Sequence, residues 1–114
     1  MSIPVKLGDR HCIHGAPALD PSTIQARLLE VPGWQASGGG IARTFAFADY
    51  RATIAFVNAV AAMAEEQNHH PDMLVAYRRC TLTYTTHSAG NALSDNDFIC
   101  AARADTIYTQ QGGA

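Results

Sequence analysis

The side chains with the widest chemical repertoire gather between Glu65 and Asp97: the carboxylates at the two ends of this stretch and three imidazoles, His69, His70 and His87. Histidine titrates near pH 6.5 when unperturbed, so such a set suits general acid–base work around neutrality. Glu65 and His69 stand four apart, the spacing of neighbours on one helical face. Pro71 disfavours helical geometry at His70, so the helix carrying Glu65 is expected to stop near His69-His70. Two adjacent histidines then sit at a helix terminus beside a loop. His87 is read as the end of a strand, and Asp97 as part of the first turn of a later helix.

Each of these residues also has an ordinary structural explanation. Histidines near a helix C-terminus interact favourably with the macrodipole. Glu65 with His69 is a plain i,i+4 pair, Ser94-x-x-Asp97 reads as a capping box, and His87 is a polar strand end. Trp34, the only tryptophan, is either a core aromatic or a stacking wall for a flat ligand. His11-Cys12-Ile13-His14 could ligate zinc, but structural zinc takes four ligands and no second pair stands nearby; the stretch reads as exposed arm. A metal site built from Glu65, His69 and His87 is chemically possible and is the least favoured reading.

The elements that must position these groups can be read from capping and periodicity. Asp20-Pro21 opens a helix, Ile24, Leu28 and Val31 give it an apolar stripe, and Pro32-Gly33 ends it. Trp34–Ser37, three glycines and Ile41–Phe47 read as a hairpin, with Ile41, Arg43, Phe45 and Phe47 on one face. Asp49 caps a central helix. Tyr50, Ile54, Val57, Ala61 and Ala64 form one stripe of it, and Phe56, Val60 and Met63 a second on another face. A helix apolar on two faces must be covered twice, so a homo-oligomer that buries Phe56, Val60 or Met63 between subunits is expected. Met73–Tyr77 is a short apolar run. Beyond it Cys80, Leu82 and Tyr84 alternate with Thr81, Thr83, Thr85 and His87. A last helix begins at Ser94, and Gly112-Gly113 mark a loose end. Residues 1–16 are expected to form a flexible arm and residues 17–114 a single domain.

Composition narrows the class further. With 47% hydrophobic and 16% charged residues, the chain is not intrinsically disordered. A formal net charge of −2 offers no basic excess to neutralise phosphates, which argues against nucleic acid as a ligand. The apolar stretch Ala52–Ala64 is too short for a bilayer, which needs about 20 residues, so no membrane partner is expected. The three cysteines, Cys12, Cys80 and Cys100, are odd in number and widely spaced, unlike a disulfide framework. Met1–Gly15 lacks the apolar region of a signal peptide. A reducing cytoplasm fits these features.

Glu65-Glu66-Gln67-Asn68-His69-His70-Pro71, followed by Tyr77, His87 and Asp97, resembles the signature of pterin-4a-carbinolamine dehydratases. Gly33-Trp34 and Ile41-x-Arg43-x-Phe45-x-Phe47 extend the likeness over roughly Pro21 to Tyr108; residues 1–16 lie outside it. The resemblance implies an α+β fold, a four-stranded antiparallel sheet backed by helices in the order helix, two strands, helix, two strands, helix. It implies a homodimer or homotetramer that dehydrates 4a-hydroxytetrahydropterin to the quinonoid dihydropterin, with no metal or organic cofactor. It also implies a link to the aromatic amino acid hydroxylase pathway, whose cofactor the reaction recycles. By the family's pattern His69, His70 and His87 line the pterin pocket, with Glu65 or Asp97 orienting a histidine, and Trp34 and Pro71 at the site. The resemblance leaves two other roles open: a non-enzymatic dimerisation cofactor that binds through an exposed helix face, and a pterin-binding protein of another pterin pathway.

Overall fold

A computed structural model describes residues 5–111 of the chain; residues 1–4 of the expected arm, and Gly112-Gly113, lie outside the described residues. Helix α1 (Pro21–Glu30) starts as its sequence dictates. Asp20 accepts the Thr23 N–H at 2.8 Å, and proline takes the first helical position. Strands β1 (Gln35–Ser37) and β2 (Gly40–Ala46) form a hairpin. Its two turn residues, Gly38 and Gly39, have φ of 52° and 83°, the left-handed pair that matches strand twist. At Gly40 a Cβ would run into the carbonyl oxygen of Tyr84.

Helix α2 (Tyr50–Gln67) is capped by Asp49, which accepts the Ala52 N–H at 2.8 Å. It stops sooner than Pro71 alone requires. Asn68 takes a left-handed conformation (φ 52°, ψ 41°) and closes the helix, a role that asparagine fills at low steric cost. His69 and His70 therefore lie beyond the helix, and the expected helical register between Glu65 and His69 is absent.

Strands β3 (Asp72–Val75) and β4 (Arg79–Tyr84) complete a wholly antiparallel sheet in the order β1-β2-β4-β3. Strand β3 ends before Tyr77, because the Ala76 N–H bonds the Arg79 carbonyl at 2.8 Å and closes the turn. Strand β4 also ends early. His87 is not a strand end: it opens a single 3-10 turn, His87–Ala89, after Thr86 bridges to Ala92. Helix α3 (Asp95–Gln110) follows from a Ser94 cap. The arrangement is the expected α+β fold.

Ile41, Phe45, Leu82 and Tyr84 cover one face of the sheet and are buried against Phe56, Val60 and Phe98. Phe56, Val60 and Met63 thus serve this chain's own core and are not available to a second subunit. Exposed apolar side chains lie elsewhere: Leu29 on α1, Val5 and Ile13 on the N-terminal segment, Tyr50 on α2, and a neighbouring run of Leu74 and Val75 on the edge strand β3 with Tyr77 beyond it. Residues 5–16 do not stand free of the domain. Leu7 and Ala16 are buried, and the Arg103 guanidinium of α3 donates to the Arg10 carbonyl. Arg10 in turn pairs with Asp95. A composition poor in core residues hid these few anchors.

Candidate active site

The end of α2, the loop His69–Pro71 and the turn at His87 converge on one open cavity of about 650 Å³. That is within the roughly 300–1,000 Å³ typical of small-ligand sites. His69, His70, Pro71 and His87 all line it. So do Cys12, Ile13 and His14 of the N-terminal segment, together with Gln67, Thr86 and Asn96.

His69 is the most firmly held of His69, His70 and His87. Its Nε2 lies 2.7 Å from Oδ1 of Asp97, whose side chain is fully buried. Its ring stacks on Tyr84 with an interplanar angle of 13°. The other carboxylate oxygen of Asp97 accepts the Ser94 N–H at 2.9 Å and the Thr86 hydroxyl at 2.8 Å. Ser94 Oγ in turn stands 2.7 Å from Thr86 Oγ1 and accepts the Asn96 N–H. The capping box is therefore real, and the same carboxylate that caps α3 fixes His69. With Nε2 engaged, Nδ1 is the ring nitrogen left for chemistry. The orienting partner of His69 is Asp97 and not Glu65, because Asn68 turns the chain away from the α2 face that carries Glu65.

Glu65 instead lies near His70, with 3.6 Å between Oε1 and Nε2. Both side chains are well exposed, so this is a loose electrostatic contact and not a hydrogen bond. His87 Nδ1 is 2.6 Å from Oδ1 of Asn91, which holds a left-handed turn at φ 58°. That contact leaves Nε2 of His87 free.

Trp34 does not reach the cavity. It is 3% exposed, packs against Phe45 and Tyr84, and donates its indole N–H to Asp105 at 2.9 Å. Since Tyr84 stacks on His69, Trp34 supports the site from behind. Arg43 also donates to Asp105, at 2.7 Å. Burial raises the Asp105 carboxyl above its ordinary value, and these two donors oppose the rise.

Thr86, Asn96, Gln67 and the 12–14 segment line the cavity without having been expected there from the sequence. Thr86 and Asn96 directly adjoin His87 and Asp97, so proximity in sequence was a usable signal. The N-terminal contribution rests on hydrogen bonds between the backbone of Cys12 and Ile13 and the side chains of Gln67 and Asn96, which no local pattern reveals. Among the described residues no three His, Cys, Asp or Glu side chains meet as a metal-holding group. No helix of the described residues is long and apolar enough to cross a membrane.

The family model described as pterin 4 alpha carbinolamine dehydratase matches residues 17–107. A relative from Nitrosomonas eutropha, provisionally named pterin-4-alpha-carbinolamine dehydratase, is 46% identical over 105 residues, covering 89% of this chain and 92% of its own. One of the same name from Xanthomonas campestris pv. campestris is 46% identical over 112 residues, 93% of each chain. Among solved structures, a transcriptional coactivator/pterin dehydratase from Brucella melitensis superposes with a TM-score of 0.75 at 32% identity, over 79% of this chain and 97% of that one. A pterin dehydratase-like protein described as a RuBisCO assembly factor in the alpha-carboxysome gives 0.56 at 27% identity, over 71% of this chain and 89% of that one.

Proposed function

The chain belongs to the pterin 4 alpha carbinolamine dehydratase family, and from that premise we propose that it dehydrates 4a-hydroxytetrahydropterin to quinonoid dihydropterin and water by histidine general acid–base catalysis. It is an enzyme of the hydro-lyase class, and its turnover would recycle the pterin cofactor of aromatic amino acid hydroxylases. The observation that carries this reading is the meeting of His69, His70 and His87 around one cavity, with His69 clamped by a buried carboxylate.

The reaction removes a hydroxyl from C4a and a proton from N5, so the pterin loses water and its oxidation state does not change. Hydroxide leaves readily only if an acid protonates it, and the N5 proton needs a base. Imidazole serves either step near neutral pH. In this proposal His70 takes the N5 proton. His69, held at Nε2 by the Asp97 carboxylate, delivers a proton from Nδ1 to the departing hydroxyl, and His87 shares that task. Pro71 fixes the backbone beside His70. The direct test is a dehydration assay on chemically generated carbinolamine. Catalysis above the spontaneous rate is the expected result; a rate equal to background would sink the proposal.

Trp34→Phe keeps an aromatic ring in the core and removes only the indole donor. It should cost about 1–2 kcal/mol of stability, since a partly buried hydrogen bond to a carboxylate is lost. Affinity for a dihydropterin should be unchanged. Weakened binding in a folded variant would put Trp34 back at the pocket edge.

A homo-oligomer remains the expected assembly, now through Leu74 and Val75 on the β3 edge with Tyr50 and Tyr77. An exposed apolar edge strand invites pairing with another chain. Light scattering at micromolar concentration should give a multiple of the 12.2 kDa chain mass, and Leu74→Asp should shift it toward the monomer. A wild-type monomer would refute this. The same exposed surface makes a partner-binding role the second reading, and two structural relatives are described as a coactivator and an assembly factor. Such a role would survive loss of the histidines, whereas catalysis would not. A cytoplasmic location accords with three free thiols.

A further inference from the structure

The fold brings Cys12 and Cys100 together from opposite ends of the chain, with 3.4 Å between their sulfurs. Cys12 is half-buried on the cavity wall, while Cys100 is wholly buried in α3. The contact is built from both sides. The Cys12 N–H donates to Gln67 Oε1 at 2.8 Å. Asn96 accepts the Ile13 N–H at 3.0 Å and donates to the Ile13 carbonyl at 2.8 Å. These bonds pin the backbone on each side of the Cys12 side chain, independently of the sulfurs. A disulfide needs the gap to close to about 2.05 Å, a change within reach of side-chain rotation. The third thiol, Cys80, is fully buried on β4 and has no sulfur partner among the described residues.

We propose that Cys12 and Cys100 are an oxidisable thiol pair, in which Cys12 attacks a hydroperoxide and Cys100 resolves the product as a disulfide that fastens the N-terminal segment to α3. The Cys12 thiol is held below its ordinary value, chiefly because it accepts a hydrogen bond from Cys100, and also by the nearby charges of His69 and Arg103. Cys100 is pushed up by its hydrogen bond to Cys12 and by burial. Cys12 is thus the better nucleophile and the more accessible one. In the first step the Cys12 thiolate forms an S–O bond, the peroxide O–O bond breaks, and the leaving oxygen takes a proton. In the second, Cys100 attacks the Cys12 sulfur, the S–S bond forms, the S–O bond breaks, and water leaves with the Cys100 proton. Two electrons pass from the thiols to one peroxide. A dithiol reductant reverses the change. The site is independent of the dehydratase reading, although the segment it would fasten supplies one wall of the histidine cavity.

The test uses the reduced full chain, treated with stoichiometric hydrogen peroxide, alkylated after unfolding and mapped without reductant. The expected product is a Cys12 peptide joined to a Cys100 peptide, lighter by two hydrogens, with Cys80 fully alkylated. Dithiothreitol should restore the free pair. The oxidised protein should melt about 5 °C or more above the reduced one, because the crosslink closes a long loop. In Cys12→Ser, which keeps the size of a half-buried side chain, Cys100 should stay a thiol at the same peroxide dose. Cys12 recovered as sulfinic acid beside a free Cys100 overturns the proposal. So does a Cys12 still reduced after this treatment, or a linkage joining two chains.

Discussion

His70→Ala is expected to lose roughly 10²–10⁴-fold of the catalysed dehydration rate, the contribution of a positioned acid or base, while its melting temperature barely moves. The geometry separates these two outcomes cleanly. His70 lies beyond the α2 terminus, about half of its side chain is exposed, and its nearest charged partner is a solvent-exposed Glu65. An exposed residue with one loose contact changes stability by about 0.5 kcal/mol or less on truncation. A purely structural role would therefore leave both rate and stability intact. His69→Ala and His87→Ala should each be milder in rate than their double variant, because either imidazole can protonate the leaving hydroxyl. The measurement is the rate above the spontaneous background for all four variants, with melting temperatures alongside. Retention of most of the catalysed rate by His70→Ala would remove it as the base. A double variant no worse than the single ones would end the shared-acid arrangement alone.

Much of this site was legible in the sequence because its signals are local. Asp20-Pro21, Asp49 and Ser94-x-x-Asp97 announce helix starts through side-chain acceptors, and all three caps form. The alternation Cys80, Leu82, Tyr84 gives the inward face of β4 correctly. What failed depended on competition between signals. Pro71 pointed to a helix end at His69-His70, but Asn68 could adopt the left-handed conformation and ended it first. That small shift moved His69 from the Glu65 face to Asp97. For α2, periodicity identified two apolar stripes and could not say which one the sheet would take. The stripe of Phe56, Val60 and Met63 went inward, and Tyr50 of the other stripe stayed exposed. Trp34 illustrates the same limit, since either reading of a lone tryptophan satisfies its ring, and only the placement of Asp105 across the fold decides for the core. The N-terminal segment was least legible of all. Its attachment rests on Leu7, Ala16 and a handful of backbone hydrogen bonds to residues more than fifty positions away.

The Asp97 carboxylate is where fold and chemistry share one group, so its two substitutions should part company. Asp97→Ala removes the acceptor for His69, Thr86 and the Ser94 N–H at once. It leaves buried donors unpaired, and a cost of about 3–5 kcal/mol is expected. Asp97→Asn keeps the shape but offers one acceptor and one donor where the carboxylate offered two acceptors. The Ser94 N–H can only donate, so the amide oxygen must face it and the amide nitrogen must face His69. His69 Nε2 then has to accept, which forces the other neutral tautomer. Helix α3 stays capped, and the stability loss should be limited to about 1–2 kcal/mol. The catalysed rate should nevertheless fall by about 10–100-fold, as happens when a partner that orients a histidine is lost. The rate measured together with thermal unfolding distinguishes the two roles. If Asp97→Asn folds and keeps its rate within about twofold, Asp97 is a helix cap alone, and His69 cannot be the acid its position implies.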